Sequence, residues 1–253
     1  MNRPLLQTRG LTKAFGALMA TCNLNLEVHQ GQVHALIGPN GAGKTTLLKQ
    51  LSGEMDPDRG SILFNGVDIT GLPMHKRAGL GLARSYQITS IFLPFTAEDN
   101  VAVAVQAASG HSFRFWKPSR TDPLLRDPAR ECLALVGLDK RANVTAGNLS
   151  HGEQRQLELA MALATRPRML LLDEPTAGMG LEDTERMIGL LKSLKGSVTM
   201  LLVEHDMEAV FALADRLTVL DYGEVLCSGP PETVRNDAVV QKVYLGEGKP
   251  CSG

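Results

Sequence analysis

An α/β fold with a largely parallel sheet is what the sequence predicts, and three observations predict it. The short, almost wholly apolar runs Met169–Leu172 and Val198–Val203 have the composition of strands covered on both faces, as parallel strands are. Helical patterns alternate with them at Leu149–Thr165, Leu181–Leu194 and Asp206–Ala214. Val33–Ile37 runs as a strand into the glycine-rich turn Gly38-Pro39-Asn40-Gly41-Ala42-Gly43, and Thr45–Leu51 leaves that turn with helical spacing.

The remaining elements follow from local chemistry. Leu24–Val28 alternates with period two and reads as a half-buried strand, and Gly31 separates it from Val33–Ile37. Asp56–Gly60 is a turn cluster. Ser61–Phe64 and Val67–Ile69 flank Asn65-Gly66, a pair that tolerates the positive φ of a type I′ hairpin turn. An antiparallel part therefore accompanies the parallel core. Gly79–Tyr86 reads as a strand ending at Gln87, and Ile88–Phe95 as a bulky apolar loop. Glu98–Ala108 and Arg130–Val136 have helical patterns, the latter closed by Gly137. Between them, residues 109–128 carry three prolines and the basic-aromatic cluster Phe113, Arg114, Phe115, Trp116, Lys117 and Arg120. This reads as an insertion with little regular structure, either a solvated loop or a docking or lipid-facing surface. Leu217–Leu220 and Glu224–Leu226 form a hairpin around Asp221-Tyr222-Gly223, and Pro231–Tyr244 is a terminal helical segment. There is no internal repeat.

Composition narrows the class. The chain has 253 residues, 43% hydrophobic and 21% charged, ordinary for a globular protein with a substantial core. A net charge of −1 offers no global basic field for nucleic acid. The N-terminus lacks the apolar core of a secretion signal, and no apolar run is long enough to span a bilayer. A membrane role would therefore come through a partner. Cys22, Cys132, Cys227 and Cys251 have no paired spacing and read as thiols of a reducing compartment.

Three stretches carry chemistry. Gly38, Pro39, Asn40, Gly41, Ala42, Gly43, Lys44, Thr45 and Thr46 match a phosphate-binding loop. The glycines let successive N–H groups point at a polyphosphate, Lys44 reaches its outer oxygens, and the Thr45 hydroxyl can ligate Mg²⁺. The following helix adds the positive end of its dipole. Leu170–Leu172 then runs into Asp173-Glu174, placing carboxylates at the C-terminal edge of a parallel sheet, where ligands bind. Asp173 can hold Mg²⁺, and Glu174 can orient or deprotonate a water. Leu149–Gln154 is the third stretch. Ser150 with Glu153 reads as a capping box, while the Ser150 hydroxyl, the bare Gly152 backbone and a helix N-terminus also suit an anion. Phe15 reads as a core aromatic or a ring to stack on a base. His205 and Gln87 each follow a strand. His205 can touch a terminal phosphate there, and Gln87 can reach Mg²⁺ or the water through its amide oxygen.

In order and spacing, Phe15, Gly38–Thr46, Gln87, Leu149–Gln154, Asp173-Glu174 and His205 resemble the ATP-binding cassette (ABC) ATPases over nearly the whole chain. The resemblance implies one cassette domain over 1–253. Its phosphate-loop core has a RecA-like parallel sheet, with antiparallel β parts, at about 1–87 and 166–253, and its helical subdomain covers about 88–165. It implies ATP and Mg²⁺ as cofactors, with Thr45, Gln87 and Asp173 toward the metal and Glu174, His205 and Gln87 catalytic. It also implies that Phe15 stacks on adenine, and that Ser150, Gly152 and Glu153 contact ATP held by a second cassette. That second subunit is a copy or a paralogue. Transmembrane permease subunits, and indirectly a substrate-binding protein, complete the expected assembly on the cytoplasmic face of the inner membrane, with no nucleic acid. Two departures stand out. His151 and Glu153 replace the first glycine and the glutamine of the usual Leu-Ser-Gly-Gly-Gln, and Gly180 stands where an aspartate is usual.

Within the family, Gly81–Gln87, the insertion before Arg130, Ser150–Gln154, Glu204–Met207 and Val243–Glu247 look most like the ATPase subunits of branched-chain amino acid importers. Urea and amide importers and the lipopolysaccharide-transport ATPase look similar. A cassette acting on nucleic acid would usually carry a coiled-coil insertion or a second cassette, and neither is visible. A kinase would leave Ser150–Gln154 unused.

Overall fold

The computed structural model describes residues 3–85, 91–109, 122–237 and 240. The chain divides into two compact units, Met1–Arg77 with Lys195–Gly253, and Ala78–Leu194.

In the first unit, β1 (Leu6–Phe15), β2 (Leu18–Val28), β4 (Arg59–Phe64) and β5 (Val67–Asp68) form an antiparallel sheet in the order β2-β1-β4-β5. The turn between β4 and β5 has Asn65 at φ 50° and Gly66 at φ 80°, the type I′ signature expected. β2 begins six residues before the strand read from the sequence. Its inner half alternates, with Leu24, Leu26 and Val28 buried and Asn25 and Glu27 exposed.

The same unit holds β3 (Val33–Ile37), buried along its whole length. It pairs in parallel with β8 (Thr199–Val203) and β9 (Arg216–Asp221), while β10 (Glu224–Gly229) returns antiparallel to β9. The helices of this unit are α1 (Lys44–Ser52), α7 (Met207–Leu213) and α8 (Pro231–Arg235), and α2 (Met74–Gly79) lies at its boundary. Ala35, Ile37, Val210, Leu217, Val219 and Val234 make a common apolar core. The buried Arg77 guanidinium donates to the carbonyls of Gln50 and Leu51 at the end of α1, and to those of Thr70 and Leu72. A cation there satisfies orphan carbonyls and complements the negative end of the helix dipole.

His34 is buried in the middle of β3, its Nε2 2.7 Å from Thr218 Oγ1. Burial lowers its pKa from 6.5 to about 3, with the nearby Arg216 charge acting in the same direction. The native state therefore refuses a proton that the unfolded chain accepts below pH 6.5. His34 then contributes stability that is present above that pH and lost as pH falls toward 3, about 5 kcal/mol in full. Denaturant titrations at pH 7 and pH 4 should show the loss, and His34→Gln should flatten this part of the pH dependence.

The second unit pairs β6 (Leu82–Arg84) in parallel with β7 (Met169–Asp173) and adds α3 (Ala97–Ala108), α4 (Pro123–Leu135), α5 (His151–Ala164) and α6 (Leu181–Leu194). Helices α3, α4 and α5 pack on one another through residues such as Val101, Val105, Ala129, Leu133, Leu157 and Ala160. Two boundaries differ from the sequence reading. α4 starts at Pro123 rather than Arg130, because Asp122 caps it and a first-turn proline forfeits no helical bond. Residues 74–79, not read as an element, form α2, and the strand after it is only three residues long.

Candidate active site

The residues that the sequence singles out fall in both units. In the first, the loop Gly38–Gly43 joins β3 to α1. Gly43 has φ 99°, and a side chain there would place its Cβ 2.0 Å from the Ala20 carbonyl oxygen. At Gly38 a Cβ would lie 2.2 Å from the Leu220 carbonyl oxygen. Both positions exclude any side chain, so the loop lies against the strands with its backbone in control of shape. Lys44 Nζ donates to the carbonyls of Gly38 (2.6 Å) and Pro39 (2.9 Å), spanning the loop it terminates. No side chain caps the N-terminus of α1, and its first turn has no acidic residue. An anion is therefore met by backbone N–H groups, the dipole and Lys44, with no carboxylate to repel it. The Thr45 side of the turn is exposed.

Phe15 ends β1 with 48% of its surface exposed, which sets aside the core reading. Lys13 Nζ lies 5.9 Å from the ring centroid and is itself paired with Asp58 at 2.8 Å. The Lys13 hydrogen bond holds the Asp58 carboxyl below its usual range. After β8, the buried Glu204 carboxylate accepts the His205 N–H, leaving the His205 ring largely exposed. Asp206 then caps α7.

In the second unit, β7 ends on Asp173, 2% exposed, whose Oδ2 accepts a hydrogen bond from Arg84 Nη2 at 3.0 Å. Glu174 follows at φ 49°, a left-handed conformation that costs a non-glycine residue about 1 kcal/mol. Such conformations collect at functional positions, and the Glu174 carbonyl accepts the Ala177 N–H to close the turn.

Ser150 caps α5, and both halves of the capping box are present. Ser150 Oγ accepts the Glu153 N–H, and Glu153 Oε2 accepts the Ser150 N–H. Arg141 Nε adds a 2.8 Å contact to Glu153 Oε1. Burial raises the Glu153 pKa, but the Ser150 N–H and Arg141 outweigh it and leave the carboxyl below its usual range. Glu153 at the position of the usual glutamine is thus an ionised structural cap. Gly152 is close-packed, since a Cβ there would meet the Asp183 carboxylate at 2.6 Å. Gln87 and residues 110–121 lie outside the described residues, as do 243–247.

The sequence reading missed Arg84 and Asp183. Arg84 carries no motif of its own, and Asp173 lies 89 residues further along the chain. Among the described residues no three His, Cys, Asp or Glu side chains cluster as a metal cage. Mg²⁺ needs no such cage. It takes one or two protein oxygens beside phosphate oxygens, and hydroxyl and carboxylate oxygens, such as those of Thr45 and of Asp173, are donors of the hard type it accepts.

The comparisons bear on these parts together. The family described as ABC transporter matches residues 21–177, and one described as branched-chain amino acid ATP-binding cassette transporter matches 224–250. The chain is 41% identical to the high-affinity branched-chain amino acid transport ATP-binding protein BraF of Pseudomonas aeruginosa, covering 98% of this chain and 100% of that one. It is 39% identical to LivG of Escherichia coli over the same shares. The lipopolysaccharide export protein LptB of Acidithiobacillus ferridurans is 34% identical, over 96% and 97%. A solved cassette of an ABC transporter in its ADP conformation superposes with a TM-score of 0.84 at 26% identity, over 96% and 99%. A dimeric post-hydrolysis cassette bound to ADP and phosphate gives 0.75 at 25%, over 89% and 98%.

Proposed function

Because this chain belongs to the ABC transporter family, we propose that it is the ATP-hydrolysing subunit of a membrane importer for branched-chain amino acids. The observation that carries the hydrolytic part is the seat of the phosphate loop, with bare glycines against the Ala20 and Leu220 carbonyls and Lys44 at an uncapped helix start. Likeness to BraF and LivG along the whole chain, with the separate match over 224–250, supports the substrate class.

In this reading Lys44 exchanges the Gly38 and Pro39 carbonyls for β- and γ-phosphate oxygens, and Phe15 stacks on the adenine. Thr45 and Asp173, with Gln87, would hold Mg²⁺, which when bound neutralises charge on the β- and γ-phosphates. Glu174 accepts the proton of the attacking water, and His205 assists at the γ-phosphate. Ser150, Gly152 and the N-terminus of α5 close over the nucleotide of a second cassette, a copy or a paralogue. Stabilising charge on the transferring group is the main catalytic task. Residues 88–165 form the helical subdomain of a single cassette domain, 1–253, and turn as Gln87 senses the γ-phosphate.

No helix among the described residues is long and apolar enough to cross a membrane. Attachment to the cytoplasmic face therefore falls to permease subunits, fed by a substrate-binding protein. Phe92, Leu93 and Phe95 stand exposed beside a cleft of about 170 Å³ lined by Phe95, Asp99, Val103 and Arg126, a fitting seat for a permease helix.

Co-purification with permease subunits from the native host, followed by ATPase assay in vesicles, tests the whole. Binding protein loaded with leucine, isoleucine or valine should stimulate turnover. Stimulation only by another solute, such as urea, would move the substrate class. Failure to associate with any membrane protein would overturn transport.

A further inference from the structure

Arg84 closes β6, in register with Leu171 of β7, and the Ser85 N–H bonds the Leu171 carbonyl, so the ladder itself holds Arg84 beside the end of β7. Its guanidinium reaches Asp173 with the two side chains only 6% and 2% exposed. Taking two charges out of water is costly, and a pair this buried is more than a surface contact. We propose that Arg84 is an internal counter-ion that competes with the divalent metal for Asp173, holding the carboxylate neutralised until metal arrives with a nucleotide. This rests on the reading of Asp173 as a metal-holding residue.

The physical argument is one of charge. Without a cation beside it, a carboxylate as buried as Asp173 would be neutralised by a proton or by a divalent ion. With Arg84 in place the carboxylate is already satisfied, and a dication approaching the same oxygens meets a guanidinium at short range in a medium that screens poorly. Metal alone is disfavoured. Metal escorted by phosphates, which bring their own negative charge, is not. This makes Arg84 a positioning residue for the site.

The test uses the full chain carrying Glu174→Gln, so that ATP stays intact, and Mn²⁺ as the probe, its free concentration read by electron paramagnetic resonance. Arg84→Met should tighten Mn²⁺ binding in the presence of ATP by about tenfold, the size of a typical coupling between sites. It should also create measurable Mn²⁺ binding without nucleotide. Arg84→Lys, which keeps a charge but loses the planar fork, should fall between. If Arg84→Met does not fold, tighter Mn²⁺ binding by Arg84→Lys alone still supports the proposal. Unchanged or weaker Mn²⁺ binding in the folded variants overturns it. Asp173→Asn separates the two readings. If it leaves Mn²⁺ affinity unaltered, Asp173 is not a metal-holding residue. If it abolishes binding while Arg84 variants change nothing, only the competition is wrong.

Discussion

Glu174→Gln is expected to lower steady-state ATP turnover by about 10²- to 10⁴-fold, the range a positioned general base contributes. The amide is nearly isosteric with the carboxylate and keeps the hydrogen-bonding reach that orients a water, but it cannot take the proton. Binding should survive, because the phosphate contacts belong to the loop at the start of α1. On the proposed function, in which hydrolysis dissolves the dimer, the nucleotide-loaded dimer should then accumulate. Phosphate release measures the first effect, and size-exclusion chromatography with and without ATP the second. The left-handed backbone at Glu174 sharpens the design. Glutamine keeps whatever backbone cost the glutamate carries, so a drop in rate reports chemistry and not a rearranged turn. Normal turnover in the variant would assign the base to another group.

Lys44→Ala is expected to weaken ATP binding by about a hundredfold, about 2.7 kcal/mol, the worth of one or two hydrogen bonds to a charged group. Titration with a fluorescent ATP analogue reads it directly. Fold stability should change far less. Lys44 Nζ donates to two carbonyls of its own loop, and those carbonyls can turn to water once it is gone. Lys44→Arg should not rescue, because a planar fork does not reproduce a compact point charge at the mouth of a tight loop. Unchanged affinity in Lys44→Ala would remove the lysine from phosphate recognition.

The strands and the phosphate loop were legible because their signals are local. Met169–Leu172 is apolar on both faces and Val33–Ile37 is so but for His34, and a chain of this composition has few ways to hide such runs except in a parallel sheet. The capping box at Ser150 and Glu153 is equally local, three residues apart. The start of α4 was missed because three prolines outweighed the Asp122-Pro123 cap in a linear reading. β2 begins at Leu18 because hydrogen bonds to β1 carry it past the point where alternation ends, information the strand itself does not contain. Pairings across distance were not legible at all. Nothing near Arg84 announces Asp173, nothing near Gly152 announces Asp183, and nothing near Arg77 announces the end of α1. Such partners are set by which elements the fold brings side by side, and residue type alone gives only the sign of the charge to look for.

β3, which delivers the chain into the phosphate loop, takes both its ladder partners from β8 and β9, and the loop itself rests on Leu220 and is bonded at Ala42 to Gly223. Every one of these supports is translated more than 150 residues after the loop. A nascent chain therefore has the Ala20 carbonyl of β2 beside the loop long before the ladder partners of β3 exist. Contacts this distant are also slow to form. The supports that complete the seat of the loop are thus among the last parts of the chain to be made.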